Sequence, residues 1–161
     1  MAEEDRKLRM MLVGQIAAGK TSLCQRLNNE ELKYHKTQTI SILASDVNFI
    51  DTPGEYLERR MFRGALMTTA MQADLIVFVQ SAKDYQTMFP PNFFSMFPKE
   101  SVGVVTKIDA APIEKIETAE HWLKRAGAER VFRVSNVTDE GIPEFLAYLK
   151  DVAQRIEGVS F

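Results

Sequence analysis

The sequence predicts an α/β fold with a mostly parallel sheet, one antiparallel strand and helices on both faces. Three observations carry this expectation. The apolar runs Leu75–Val79 and Val102–Val105 have no polar alternation, the pattern of strands buried on both faces of a parallel sheet. Strand-like and helix-like segments alternate from one end of the chain to the other. The octapeptide Gly14-Gln15-Ile16-Ala17-Ala18-Gly19-Lys20-Thr21 fits G-x-x-x-x-G-K-[ST], a loop that runs from a strand into a helix.

Met10–Val13 is the short buried strand that feeds this loop, and Leu23 and Leu27 behind it are spaced for one helix face. Ile40–Ala44 alternates apolar and polar, and Ser45-Asp46 turns it into Val47–Ile50, which predicts a hairpin. Residues 59–71, with Met61, Phe62, Leu66 and Met67, suit a helix. An irregular aromatic segment, Met88–Pro98, separates the two apolar runs. Pro112 opens a helical stretch through Ile113, Ile116, Trp122 and Leu123, and Gly127 is placed to stop it. Val131–Val134 reads as a last strand, and Ile142, Phe145, Leu146, Leu149 and Val152 mark an amphipathic closing helix. No internal repeat and no Gly-, Ser- or Pro-rich linker divides the chain. It is expected to be one domain over residues 1–161, with residues 1–7 a flexible tail.

Composition excludes several classes. At 161 residues, 45% hydrophobic and 26% charged, with net charge −2 and a pI near 5.8, the chain has the balance of a globular protein and no basic block for nucleic acid. No apolar run approaches the length of a membrane helix, and the charged N-terminus is unlike a signal peptide. A single cysteine, Cys24, allows no internal disulfide and suits a cytoplasmic setting. His35 and His121 have no neighbours at zinc-ligand spacing.

The loop Gly14, Gln15, Ile16, Ala17, Ala18, Gly19, Lys20, Thr21, with Ser22 after it, is expected to wrap backbone N–H groups around a nucleotide phosphate. Lys20 is expected to reach the β- and γ-phosphates and to be a solvated charge when no nucleotide is bound. The Thr21 hydroxyl suits Mg²⁺. Asp51-Thr52-Pro53-Gly54 ends the hairpin, where Asp51 can bind Mg²⁺ through water and the Gly54 N–H can meet a γ-phosphate. Between the two motifs, Thr37 or Thr39 offers a hydroxyl to complete the metal shell, Thr37 being the first choice. Thr106-Lys107-Ile108-Asp109 ends the Val102–Val105 strand. The Asp109 carboxylate can accept from the N1–H and N2–H₂ of guanine, a donor pair that adenine lacks, and the Lys107 stem can lie along the base. Ser135-Asn136-Val137 is expected to close over the base with backbone N–H groups.

These motifs stand in the order of a small GTPase. Glu31-Leu32-Lys33-Tyr34-His35-Lys36-Thr37-Gln38, Asp51-Thr52-Pro53-Gly54-Glu55-Tyr56-Leu57-Glu58 and Thr106-Lys107-Ile108-Asp109 together resemble the EutP/PduV family of ethanolamine- and propanediol-utilisation GTPase-like proteins, associated with bacterial microcompartments. The resemblance runs from about Leu8 to the last helix. It implies a Ras-like fold, GTP or GDP with Mg²⁺, and a cytoplasmic place near a catabolic organelle. Three departures from the general GTPase pattern matter, the first being that Ser135-Asn136-Val137 only loosely matches the usual S-A-K. Thr106 stands where Asn is usual, which removes an amide that steadies the base-binding loop. Glu55 follows D-x-x-G where many GTPases have Gln, and an ionised carboxylate is repelled by a γ-phosphate, so slow hydrolysis is expected.

A small-molecule phosphotransferase acting on a short carboxylate uses the same Lys20, Thr21 and Asp51, and so does a nucleotide-dependent scaffold without turnover. The Met88–Pro98 segment, with Phe89, Phe93, Phe94 and Phe97, is a candidate surface for a shell or cargo protein or for a second copy of the chain. The competing reading is a short helix that packs these rings under the sheet.

Overall fold

The computed structural model describes residues 6–27, 41–43, 48–51, 63–156 and 159–160. Its centre is a six-stranded sheet built from β2 (Arg9–Gly14), β3 (Ser41–Leu43), β4 (Asn48–Asp51), β5 (Leu75–Ser81), β6 (Glu100–Thr106) and β7 (Val131–Arg133), in the spatial order β3-β4-β2-β5-β6-β7. β2 lies parallel to β4 and β5, β5 to β6, and β6 to β7. β3 pairs antiparallel with β4, Ile42 opposite Ile50. A two-stranded pairing of β1 (Arg6–Lys7) with β8 (Val159–Ser160) stands beside this sheet. The last two residues of the expected flexible tail are therefore paired strand.

The period-2 alternation of a strand sends successive side chains to opposite faces, and here both faces are apolar. From β2 and β5, Met10, Leu12, Leu75, Val77 and Val79 join one cluster with Leu23 and Leu27 of α1 (Lys20–Leu27) and Phe145, Leu149 and Val152 of α4 (Ile142–Arg155). Their alternates Met11, Val13, Ile76 and Phe78 join a second cluster with Leu66 and Ala70 of α2 (Arg63–Ala70) and Ile116, Ala119 and Leu123 of α3 (Ile113–Ala126). Burial on two sides is why the β5 sequence carries no polar alternation.

Helix boundaries follow local chemistry. Pro112, extended at ψ 160, precedes α3, and Gly127 at φ +121 ends it, with its N–H donating to Lys124 O at 3.1 Å. A side chain is disfavoured at that positive φ, so a glycine suits the stop. Of the helix expected over 59–71, residues 63–70 are helical and 59–62 lie outside the described residues.

Of the two readings of the aromatic segment, the short helix packed under the sheet holds, and the partner surface does not. Phe89, Phe93, Phe94 and Phe97 are each 5% exposed or less. They surround Phe78 of β5: Phe94 stacks on it at 3.7 Å between centroids, while Phe89 and Phe97 meet it edge-on at 5.5 Å. A 3-10 turn over Phe93–Met96 folds the β5–β6 connection back over the second cluster. Removing several large rings from water outweighs leaving any of them at the surface.

Candidate functional site

The phosphate loop, the end of β6 and the loop after β7 meet at the carboxyl edge of the parallel sheet, where open α/β sheets hold ligands. The loop leaves β2 at Gly14 and enters α1 at Lys20. A Cβ on Gly14 would lie 2.6 Å from Val79 O, so β5 itself requires glycine there. Gly19 sits at φ +98, and Ala17 is a non-glycine residue at φ +64. Such left-handed backbone at an alanine is held by its surroundings rather than by preference.

Those surroundings are visible. Ala18 N–H donates to Gln15 O at 3.1 Å, and Leu23 N–H to Gly19 O at 2.9 Å. Buried Thr106 donates its hydroxyl to Ala18 O at 2.5 Å, and Lys107 donates its ammonium to Ala17 O at 2.6 Å. The T-K-x-D motif thus holds the phosphate loop in shape, and Thr106 ties it with a hydroxyl where an amide is usual.

Lys20 corrects the expectation of a solvated charge. It is 7% exposed, and Nζ donates to Gly14 O at 2.8 Å and to Gln15 O at 2.9 Å. The loop curls its carbonyls inward onto the ammonium, so the lysine is a structural part of the loop.

On the other side of the pocket, Ser135 Oγ donates to Asp109 Oδ1 at 2.8 Å and accepts from the N–H groups of Val137 and Thr138 at 3.2 and 3.0 Å. Ser135 N–H donates to Glu140 O at 2.9 Å. These backbone donors are spent within the loop, contrary to the expectation that Ser135 and Val137 would offer theirs to a base. The same loop is tied to α1, since Asp139, at φ +66, receives a two-pronged ion pair from Arg26.

Gly19, Ser22, Lys107, Asp109, Asn136 and Val137 line a pocket of about 260 Å³, together with Lys83 and Ala110, which the sequence did not suggest. No motif marks Lys83; only the turn after β5 brings it there. Asp84, equally unforeseen, accepts from Gln80 Nε2 at 2.9 Å. Burial pushes its carboxyl up, against the opposing pull of Lys107 and Lys115. Asp51 closes β4 with its backbone in register with Leu12, beside the strand that feeds Gly14. Thr37, Thr39, Gly54 and Glu55 lie outside the described residues.

A larger open depression of about 790 Å³ lies at the opposite end of β6, around Glu100, Arg130, Tyr148 and Arg155. Glu100 pairs with Arg155 at 2.9 Å and takes the Tyr148 hydroxyl at 3.4 Å. It holds none of the motif residues.

The loop, the sheet order and the helices on both faces define a phosphate-loop α/β domain of the GTPase fold. The bacterial selenocysteine-specific elongation factor EF-Sec superposes on 94% of this chain with a TM-score of 0.72 and 20% identity, the match spanning 29% of that chain. The elongation factor SelB of Methanococcus maripaludis, solved with the GTP analogue GppNHp, covers 97% of this chain with a TM-score of 0.69, 20% identity and 36% of its own length.

The profile of the family described as "Ethanolamine utilisation - propanediol utilisation" matches residues 7–151, so the chain belongs to the PduV-EutP family. It is 40% identical to the propanediol utilization protein PduV of Citrobacter freundii, over 88% of this chain and 92% of that protein. It is 27% identical to the probable acetate kinase EutP of Escherichia coli K12, over 92% and 93% of the respective chains. Among the described residues, no helix is long and apolar enough to cross a membrane.

Proposed function

We propose that this protein binds GTP and GDP with Mg²⁺ and hydrolyses GTP slowly, serving ethanolamine or propanediol catabolism in the cytoplasm at a bacterial microcompartment. One observation carries the nucleotide reading. Asp109, oriented by Ser135, shares a pocket with Gly19 and Ser22 of the phosphate loop. A carboxylate that accepts two donors and a loop that receives phosphate are thereby set side by side, as a guanine nucleotide needs.

The residues fit the ligand. Gly14 leaves no room for a side chain beneath the loop, and the buried Lys20 brings a positive charge to it. Backbone N–H groups between Gln15 and Ser22, apart from that of Ala18, which bonds Gln15 O, would cradle the phosphates, Thr21, Thr37 and Asp51 would hold the metal, and Gly54 would meet the γ-phosphate. Bound Mg²⁺ would neutralise phosphate charge. Glu55 would supply no neutral group to orient water, which is the basis for slow turnover. Calorimetry with GTP, GDP, ATP and ADP, each with and without Mg²⁺, tests the reading. A preference for ATP removes the role of Asp109 as a guanine reader.

A second reading rests on the relatives called probable acetate kinase, 26–27% identical over 92% of the chain. Here the same loop would pass the γ-phosphoryl group to a carboxylate oxygen, giving an acyl phosphate and a nucleoside diphosphate. Trapping with hydroxylamine in the presence of acetate separates the two. Acyl hydroxamate at the rate of triphosphate loss supports transfer, and inorganic phosphate alone supports hydrolysis.

A further inference from the structure

Arg26 and Asp139 are joined across 113 positions of the chain, and neither lines the pocket around Asp109. Arg26 stands in the last turn of α1, the helix that begins at Lys20 of the phosphate loop. Its guanidinium donates through Nε and Nη2 to the two carboxylate oxygens of Asp139. A two-pronged match of this kind fixes the orientation of both planar groups, which a single-point contact does not. Asp139 itself sits at φ +66, left-handed backbone that aspartate visits more readily than most residues but that its surroundings must still hold. Its N–H donates to Ser135 O at 3.0 Å, and its carbonyl accepts from the N–H of Ile142, the first residue of α4, at 3.1 Å. Ser135 in turn donates to Asp109. A run of contacts therefore leads from the end of α1, through Asp139 and Ser135, to the carboxylate in the pocket.

We propose that Arg26 and Asp139 are a positioning pair for base specificity: they fix the turn that carries Ser135, and through Ser135 they set how Asp109 meets the base. This rests on the nucleotide reading above and adds to it two residues outside the pocket. The bonds from Val137 and Thr138 to Ser135 Oγ and from Glu140 to Thr138 Oγ1 are local. They give the turn its shape but do not locate it relative to the phosphate loop. Arg26 supplies that relation, because α1 continues directly from the loop. Thr106 and Lys107 tie the same loop to the end of β6, so Asp109 is located from both sides. The two side chains are partly open to solvent, 28% for Arg26 and 51% for Asp139. An ion pair this exposed adds little to stability and is screened by salt. Its effect falls on where the turn stands rather than on whether the chain folds.

The test compares GTP with ITP, whose base lacks the 2-amino group and so offers Asp109 one donor in place of two. The ratio of the two affinities, measured by competition, reports how Asp109 is placed. It is taken for the wild type, Arg26→Met, Asp139→Asn and the double variant; asparagine suits the same left-handed backbone. Each single change should lower the preference for GTP by about twofold to fivefold, the range of an exposed ion pair. The double variant should fall no further than the larger single loss, because both changes break one contact. Raising the salt concentration should lower the preference in the wild type and leave that of the double variant unchanged. Melting temperatures should stay close to that of the wild type. If Arg26→Met does not fold, Arg26→Gln carries the same comparison. Folded variants that keep the wild-type ratio overturn the proposal, as do additive losses in the double variant. An equal loss for GTP and ITP also overturns it, since a purely structural pair would give that result. A wild type that binds GTP and ITP alike overturns the reading of Asp109 and the pair's role with it, and one that binds neither overturns the nucleotide reading itself.

Discussion

The Thr106 hydroxyl donates to the carbonyl of Ala18, a residue 88 positions earlier in the chain, at 2.5 Å. With the bond from Lys107 to Ala17 O, it joins the end of β6 to the loop between β2 and α1. Thr106→Val keeps the shape and removes the donor, leaving Ala18 O unsatisfied beside an apolar methyl. The loss should be about 1–2 kcal/mol of stability, the usual cost of a buried acceptor stripped of its donor. Nucleotide affinity should fall by roughly 3–10-fold as the loop loses its anchor. Urea unfolding and nucleotide titration of the same variant check the two effects together.

Lys20→Met should abolish triphosphate binding and also destabilise the free protein. The ammonium bonds Gly14 O and Gln15 O in a buried setting, so its removal should cost about 1–3 kcal/mol of stability. Lost phosphate contact should cost a further 2–4 kcal/mol of binding, on the order of a charge-assisted hydrogen bond. A variant with unchanged melting temperature contradicts the structural role. One with unchanged affinity contradicts the phosphate loop.

Asp109→Asn should weaken GTP and favour XTP relative to it. Xanthine has a carbonyl where guanine has its amino group, so an amide donor suits it better than a carboxylate. The Ser135 hydroxyl, which donates to Oδ1 at 2.8 Å, can bond the amide oxygen just as well, so the loop should stay in place. Competition between GTP and XTP in the wild type and the variant measures the effect. Retention of the full GTP preference would show that another group reads the base.

Much of this was legible in the sequence because the signals were local. The apolar runs of β5 and β6, the stop at Gly127 and the phosphate loop each depend on a few consecutive residues. What the sequence concealed depends on contacts between distant segments. Nothing near Lys20 announces that Gly14 and Gln15 will turn their carbonyls onto it, and nothing near Asp139 announces Arg26. Ser135 reads as a base-loop residue, yet its hydroxyl is what consumes the neighbouring N–H groups. The aromatic segment left two readings open in the sequence, a surface and a short helix packed under the sheet, and the buried one holds. Its irregular, proline-bounded pattern has no helical or strand period from which a buried face could be read, and only Phe78, on a different element, explains where the rings go.

Tyr148 should make stability fall at alkaline pH. Burial, then the negative charge of Glu100, pushes its hydroxyl up to about 12 from the ordinary 10.0. The folded state holds that proton more tightly than the unfolded chain does, so the contribution is whole below pH 10.0 and is lost as pH rises to about 12. Tyr148→Phe keeps the ring against Phe132 and Phe145 and removes the titrating group. Urea unfolding of the wild type should therefore weaken more steeply than that of the variant across this window, while the two should run parallel at neutral pH. A near-ultraviolet titration should show a tyrosine ionisation near pH 12, and that late step should vanish in Tyr148→Phe. If the wild type and the variant lose stability with the same slope, the hydroxyl is as solvated as that of a free tyrosine, and its contact with Glu100 does not hold the proton.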